Sequence, residues 1–422
     1  MVTDPFSSFA KQISKSLKAD ISAFTEVKRD RGQQETGLHT YYLDLHGGQK
    51  TIHLRIEENG SGVLFIDVTD VVHLNSTASS MVKSALDQIP FSEALSIKLR
   101  RVHRRDHLQL TAEIERIYEM VACFSKPADS CPTCSVQGLE RSALFSIRAS
   151  APYKADLALT YGCNNQCAHC YNEPERFDMP SLRFEQWSQV LDKLHRVGVP
   201  HAIFTGGEAT LYPDLPLLVE YASDLGMICG LNSNGRRFSH LPYVHELEEA
   251  GLNHVQITLA SNQPNLHNQI MGAASFHQTV KGIENALNAR LHVITNTTLM
   301  RCNMGHVDEI LDFLFRLGIR TFAMNGMIYS GGGFSDPNAI PEEQLLSLLI
   351  RIRDHAAELG MRFLWYTPTE YCRMSPVELE IGVKRCNAGE YSICIEPNGD
   401  VLPCQSFYVS AGNILKDDWQ DI

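Results

Sequence analysis

Residues 156–172 read DLALTYGCNNQCAHCYN: a β-rich run, then three cysteines on a short polar loop. Cys163, Cys167 and Cys170 stand in a Cx3Cx2C spacing. Three thiolates on one tight loop can hold three irons of a cubane and leave the fourth iron without a protein ligand. An open metal position suits a catalytic site, whereas a closed four-ligand site is usually structural or electron-carrying. Zinc is the competing reading. It normally takes a fourth Cys or His close in sequence, and His169 sits awkwardly between two of the ligands.

Outward from this loop the chain alternates. Strand-like runs occupy 156–161, 201–205, 227–232, 254–260, 292–298 and 321–326, with amphipathic helical patterns between them. Several of those patterns stop at Gly198, Gly226, Gly251 or Gly318, a usual residue for a left-handed helix end. Six strands alternating with helices predict an α/β fold whose parallel sheet is either doubly wound or curled as a partial (β/α)6 TIM-like barrel. In both, functional groups gather in the loops after strand C-termini. The second run leads into HAIFTGGEAT (201–210), where Gly206 and Gly207 let backbone approach a ligand and Glu208 offers an anion to an ammonium group.

A Cx3Cx2C loop followed by GGE on the next strand resembles the radical S-adenosylmethionine (SAM) superfamily, over roughly residues 155–330. The resemblance implies the partial barrel and a [4Fe–4S] cluster on Cys163, Cys167 and Cys170, with SAM chelating the fourth iron. It places the SAM ammonium on Gly206, Gly207 and Glu208. It also implies one-electron cleavage of the sulfonium to a 5′-deoxyadenosyl radical that abstracts hydrogen. Asn234, in LNSNG (231–235), and Thr258 match positions of lesser SAM contacts. Two departures are visible: Thr258-Leu259-Ala260-Ser261 lacks the acid many related maturases carry, and GGEAT replaces the commoner GGEPT.

The other cysteines fall in groups. KRCNAGEYSICIEPNGDVLPC (384–404) brackets an expected hairpin, turning at Asn398-Gly399, with Cys386 and Cys404. This Cys…Gly-x4-Cys unit resembles the SPASM or twitch extension of radical SAM maturases and implies an auxiliary iron–sulfur cluster, with Cys372 and Cys394 as further candidate ligands. The full SPASM pattern has more cysteines beyond the second, so the extension, 336–422, is expected to be incomplete. Cys123, Cys131 and Cys134 are expected to be linker thiols, with a cluster or zinc as the alternative, and Cys229 and Cys302 packing residues.

Residues 1–125 are expected to form a separate α+β module. Strands are predicted in HTYYLDL, TIHLRIEE and GVLFIDV, with turns at HGGQ and ENGSG, then three helices, the first spanning VHLNSTASSMVKSALDQ with Ser76 or Thr77 as its cap. The strand-to-helix passage GVLFIDVTDVVHLNSTAS resembles the winged-helix-like RiPP recognition element, which implies a precursor (leader) peptide as partner, bound by strand addition. A Cys-containing linker (126–150) leads to the barrel (151–335).

Length, 422 residues, allows these domains; 44% hydrophobic and 20% charged residues describe an ordinary globular chain. The net charge of −12 disfavours nucleic acid as main partner. The sequence shows neither a membrane span nor a secretory signal, and its length and thiol pattern fit a cytoplasmic setting rather than a disulfide framework. The leading expectation is therefore a radical SAM enzyme modifying a ribosomally made peptide by crosslinking, epimerisation or excision, reduced by a one-electron donor such as flavodoxin or ferredoxin. A radical SAM step in cofactor or tetrapyrrole biosynthesis and a non-catalytic iron–sulfur scaffold remain the alternatives.

Overall fold

The structure is a computed structural model and describes residues 36–45, 48–66, 70–100, 102–124 and 149–422. They fall into two units divided at Ser150.

In the first unit, β1 (Gly37–Leu45), β2 (Gly48–Ile56), β3 (Gly62–Ile66) and β4 (Asp70–Leu74) form an antiparallel meander in chain order. Helices Ser76–Leu86, Phe91–Leu99 and His107–Cys123 bury Val82, Leu86, Ile114 and Val121 with Leu43, Leu54 and Leu64 of the sheet. The structure corrects one expectation here. Val72, His73 and Leu74 belong to a fourth strand rather than to the first helix, because β-branched and apolar residues there pair with Leu64, Val63 and Gly62 of β3. The helix begins at Ser76, and its cap is Asn75, whose side-chain oxygen accepts the Ala78 N–H at 2.9 Å. The first expected turn, at 46–47, lies outside the described residues, as does most of the linker with Cys131 and Cys134.

The second unit is a curled, mostly parallel sheet wrapped in helices. Its strands are β5 (Lys154–Thr160), β6 (His201–Gly206), β7 (Ile228–Ser233), β8 (Leu252–Thr258), β9 (His292–Thr298), β10 (Thr321–Asn325) and β11 (Arg362–Trp365), each pairing with the next. This is the partial TIM-like barrel, and it carries two more parallel strands than the six expected, one at each edge. β11 follows helix Glu342–Glu358, so the sheet continues past residue 335. Its other edge is extended by β12 (Ser392–Ile395), parallel to β5, and then antiparallel β13 (Asp400–Leu402) and β14 (Gly412–Asn413). The β12–β13 turn places Gly399 at φ +89° and bonds its N–H to the Glu396 carbonyl at 2.9 Å. Pro397 favours the first turn position and glycine supplies the left-handed residue after it.

Side chains alternate along most of each strand. Leu157, Leu159, Phe204, Leu231, Val255, Val293, Phe322 and Trp365 point outward into one core with the helices. The intervening residues, Lys154, Asp156, His201, His254, Gln256, Thr258, His292 and Arg362 among them, line the inner face. Helices Phe184–Val197 and Val307–Leu317 end on Gly198 and Gly318, at φ +91° and +98°, as their sequence signals. No helix of the described residues is long and apolar enough to cross a membrane.

Candidate active site at the cysteine loop

The loop carrying Cys163, Cys167 and Cys170 leaves the C-terminal end of β5, and four segments clamp its backbone. Helix Pro264–Met271, which the sequence did not announce, turns its C-terminal end toward it. Gln166 and Ala168 donate their N–H groups to the carbonyls of Met271 and Ile270, at 3.1 and 3.2 Å, filling acceptors a helix end leaves open. On another side, Gly332 donates to the Cys170 carbonyl at 2.7 Å. At the third, Asn234 Nδ2 donates to Asn164 Oδ1 at 2.6 Å, and Arg236 donates to the Asn164 carbonyl and to Asn165 Oδ1.

The fourth clamp is the GGE turn. Gly207 donates to the Thr160 carbonyl at 2.7 Å and Glu208 to the Gly162 carbonyl at 2.9 Å. A Cβ on Gly206 would stand 2.1 Å from Thr160 O, and one on Gly207 2.3 Å from Tyr161 O and 2.5 Å from Gly162 O. The two glycines therefore let the β6 turn lie directly on the cysteine loop, a packing role beyond the ligand approach expected from sequence.

Glu208 is 1% exposed. Its Oε1 accepts from Thr210 N, Thr210 Oγ1 and Ser233 Oγ at 3.2, 2.6 and 2.8 Å; its Oε2 accepts from Asn234 N at 2.7 Å. Four donors surround the carboxylate, and the open acceptor capacity lies on Oε2. Glu208 thus joins the β6 turn to the end of β7. Thr258 ends β8 on the inner face, half-buried, opposite Asn296.

The three thiols are electrostatically coupled. Burial, with Cys170 and Cys163 next, pushes the Cys167 thiol up to about 12; burial also raises Cys163 and Cys170. Among the described residues no three His, Cys, Asp or Glu side chains converge on a single ion. A cubane asks for something different, since each thiolate binds its own iron and the three stand around the cluster rather than around one point. Three soft donors on a loop braced at every turn fit that group, and binding it would release the thiol protons. Cys167 also packs with Met271, Met300, Met327 and Cys302 in a small apolar cluster, its Sγ 4.0 Å from Met271 Sδ.

The C-terminal cysteines divide. Tyr371 Oη accepts from Lys384 N at 2.9 Å and donates to Lys384 O at 2.8 Å, drawing the Cys372 turn beside the Cys386 segment. Gly389 N–H donates to Pro403 O at 2.9 Å, which brings that segment to Cys404. Cys372 and Cys386 are exposed and Cys404 is half-buried. Cys394 lies fully buried among Ala158, Tyr161 and Leu402, its thiol raised well above the usual range by burial and the nearby Asp156 carboxylate. Cys229 is a buried packing residue, as expected. Cys123 ends a helix of the first unit, half-buried.

The extension also reaches the cysteine loop. Tyr171, next to Cys170, donates to Gln405 Oε1 at 3.1 Å, beside Cys404; Tyr408 donates to Tyr171 O at 3.2 Å. Arg176 pairs with the buried Glu396 and lies over the Tyr408 ring, 4.0 Å from its centroid.

The radical SAM superfamily model matches residues 157–314, and the SPASM model, an iron–sulfur cluster-binding domain, matches residues 386–422. Over these residues the chain carries a radical SAM domain followed by a SPASM domain. Radical SAM domains use a [4Fe–4S] cluster with SAM, and the SPASM domain adds an auxiliary iron–sulfur cluster. Among curated relatives, the mycofactocin maturase MftC of Mycobacterium tuberculosis is 28% identical over 284 residues, covering 65% of this chain and 70% of that one. The PqqA peptide cyclase of Streptomyces rochei is 28% identical over 262 residues, 61% of this chain and 70% of that one. The crystal structure of Streptococcus suis SuiB bound to precursor peptide SuiA has the same fold, with a TM-score of 0.64 at 17% identity and 88% of this chain covered, 86% of that one.

Proposed function

We propose that this radical SAM enzyme modifies a ribosomally synthesised precursor peptide by hydrogen abstraction, ending in a crosslink, an epimerised centre or an excision. The observation that carries this reading is the cysteine loop braced by the GGE turn, joined through Tyr171 and Tyr408 to a SPASM extension. Kinship with a maturase and a peptide cyclase supports a peptide rather than a small-molecule substrate.

In this reading Cys163, Cys167 and Cys170 hold the catalytic [4Fe–4S] cluster. Bound there, cluster and SAM supply reductive sulfonium cleavage and hydrogen-atom abstraction from carbon. The chain's own residues do the rest. The backbone at Gly206–Gly207 and the open side of Glu208 Oε2 receive the SAM ammonium, while Asn234 and Thr258 border the remainder. The apolar cluster of Ala260, Met271, Met300 and Met327 excludes water beside Cys167. Cys372, Cys386 and Cys404 hold the auxiliary cluster, with Cys394 the candidate behind Cys404. The first unit, a four-stranded meander with three helices, binds the leader by strand addition at a sheet edge. A flavodoxin or ferredoxin supplies the electron, in a cytoplasmic setting that keeps the thiols reduced.

The test is anaerobic reconstitution with SAM, a reductant and a candidate precursor peptide, read by mass spectrometry. A crosslink removes two hydrogens, excision removes a larger mass, and epimerisation shows only on chiral hydrolysis. An unmodified peptide by all three measures, with SAM cleaved, would overturn the peptide assignment.

A further inference from the structure

Between Cys163 and Cys167 the loop carries Asn165, which is 7% exposed. Its backbone N–H donates to Cys163 Sγ at 3.4 Å, so the residue folds back on the first thiol. Its side-chain Oδ1 accepts from Arg236 Nη1 at 3.0 Å. The other end of the same amide, Nδ2, is buried without a hydrogen-bond partner.

Arg236 fixes which way that amide points. A guanidinium has donors only, so the group facing it is the carbonyl oxygen and the NH2 is turned away. Arg236 is itself held on several sides. Its Nε donates to Gln278 Oε1 at 2.8 Å, its Nη1 also to the Asn164 carbonyl, and its backbone N–H to Asn234 Oδ1 at 3.0 Å. Asn234 in turn holds Asn164 Oδ1 through Nδ2 at 2.6 Å and the Glu208 carboxylate through its backbone N–H at 2.7 Å. The acceptors on the guanidinium are neutral: two side-chain amide oxygens and one peptide carbonyl.

A buried amide N–H without a partner is costly, and the large majority of such groups in folded proteins are satisfied. Here the cost is compounded. A cation bonded to the amide oxygen polarises the amide and strengthens its N–H as a donor. Acceptors packed against this part of the loop are engaged by others: Asn164 Oδ1 by Asn234, and the Met271 and Ile270 carbonyls by Gln166 and Ala168. The amide is therefore a strengthened, oriented donor beside Cys163, made for an acceptor that the polypeptide does not supply.

We propose that Asn165, oriented by Arg236, donates its side-chain N–H to an anionic atom of the group bound at this loop, a sulfur of the [4Fe–4S] cluster or the carboxylate of SAM. Asn165 makes the contact, and Arg236 is a positioning residue that acts through it. The inference rests on Cys163, Cys167 and Cys170 holding the cluster, and it adds a determinant of reduction potential or of SAM affinity. A donor to sulfur stabilises the reduced cluster, which carries one more negative charge, and so raises its potential. A donor to the SAM carboxylate leaves the potential of the SAM-free cluster alone and tightens SAM binding.

Asn165→Leu tests this, since it removes the amide at similar size and leaves Arg236 its bond to the Asn164 carbonyl; Asn165→Ser repeats the measurement with a smaller side chain should Leu hinder cluster loading. The full-length, cluster-loaded protein is titrated with reductant in the absence of SAM and followed by electron paramagnetic resonance, the catalytic signal being the one absent from Cys167→Ala. SAM affinity of the oxidised protein is measured by calorimetry, so neither readout needs turnover. A midpoint lowered by about tenfold in the reduction equilibrium, about 59 mV for one electron, identifies a cluster sulfur as the acceptor. An unchanged midpoint with SAM bound about fivefold or more weakly identifies the carboxylate. Arg236→Met shifts the same quantity in the same direction, and Arg236→Lys, which keeps a donor for Asn165, restores part of it. An unchanged midpoint together with unchanged SAM affinity overturns the proposal. Retention of every cluster signal in Cys167→Ala sinks the cluster assignment instead, so the two readings fail separately.

Discussion

Gly332 donates its backbone N–H to the carbonyl of Cys170 at 2.7 Å, tying the SGGGF segment to the last cysteine of the loop. In sequence that glycine run looks like a boundary; in the fold it is a wall of the site. A Cβ on Gly332 would stand 2.6 Å from Ala168 O, and one on Gly331, at φ +52°, 2.5 Å from Asn172 O. Gly331→Ala and Gly332→Ala are therefore expected to displace the loop and lower iron content per chain after reconstitution, measured colorimetrically. Unchanged iron and unchanged SAM affinity would show that the loop tolerates the shift.

Cys167→Ala is expected to lose the catalytic cluster and all SAM cleavage while keeping the auxiliary iron. Cys386→Ser is expected to do the reverse for iron. Electron paramagnetic resonance of the reduced proteins separates the two signals. Full iron and full 5′-deoxyadenosine production in Cys167→Ala would refute the site. In Cys394→Ser, loss of the auxiliary signal would make this buried thiol a ligand, and its retention a packing residue.

Glu208→Gln keeps the shape and exchanges a carboxylate accepting four hydrogen bonds for an amide that must aim N–H groups at donors. Charge-assisted bonds of this kind contribute about 1.5–3 kcal/mol each on removal, and partial repair keeps the expected total to about 2–4 kcal/mol. Denaturant unfolding measures it. A loss of SAM binding with no loss of stability would instead assign Glu208 to the ligand alone.

Arg176→Ala leaves Glu396, 2% exposed, without its guanidinium, and strips the Tyr408 ring of its covering cation. Breaking one side of a buried pair costs about 3–5 kcal/mol. The double variant Arg176→Met with Glu396→Gln is expected to recover much of that, because no uncompensated charge remains. Equal melting temperatures for single and double variants would count against the pairing.

His267 is fully buried, and burial holds its imidazole neutral, lowering its pKa to about 4 from the ordinary 6.5. The Ala260 N–H donates to its Nδ1 at 3.3 Å, leaving Nε2 to donate to Ser275 Oγ at 3.1 Å. The unfolded chain binds this proton more readily than the folded one. Its contribution is therefore complete above pH 6.5 and is lost as pH falls from about 6.5 toward 4, up to roughly 3 kcal/mol. His254, held near about 3 by burial, acts in the same direction. His267→Asn should flatten the acid limb of a stability–pH curve; an unchanged slope would show that other groups carry it.

Much of the site was legible because its chemistry is local. Cys163, Cys167 and Cys170 are one loop, and GGE is one turn, so spacing alone reports them. The six barrel strands were legible for a related reason, since each buries one apolar face and helices such as Phe184–Val197 and Val307–Leu317 return on a glycine cap. What escaped were elements whose role is defined by a distant partner. Helix Pro264–Met271 has a weak pattern of its own and matters through the carbonyls it turns to Gln166 and Ala168. β4 hides in an apolar stretch that a helix would equally accept, and pairing with β3 decides it.

Sequence by itself pointed to the cysteine loop and to six strands alternating with helices, because cysteine spacing and side-chain periodicity are properties of neighbours in the chain. Tertiary structure alone decided that Gly206 and Gly207 pack against the cysteine loop, and that Cys372 and Cys386 are exposed while Cys394 is buried. Sheet curvature and loop closure set those distances, and neither is written in any short window of residues.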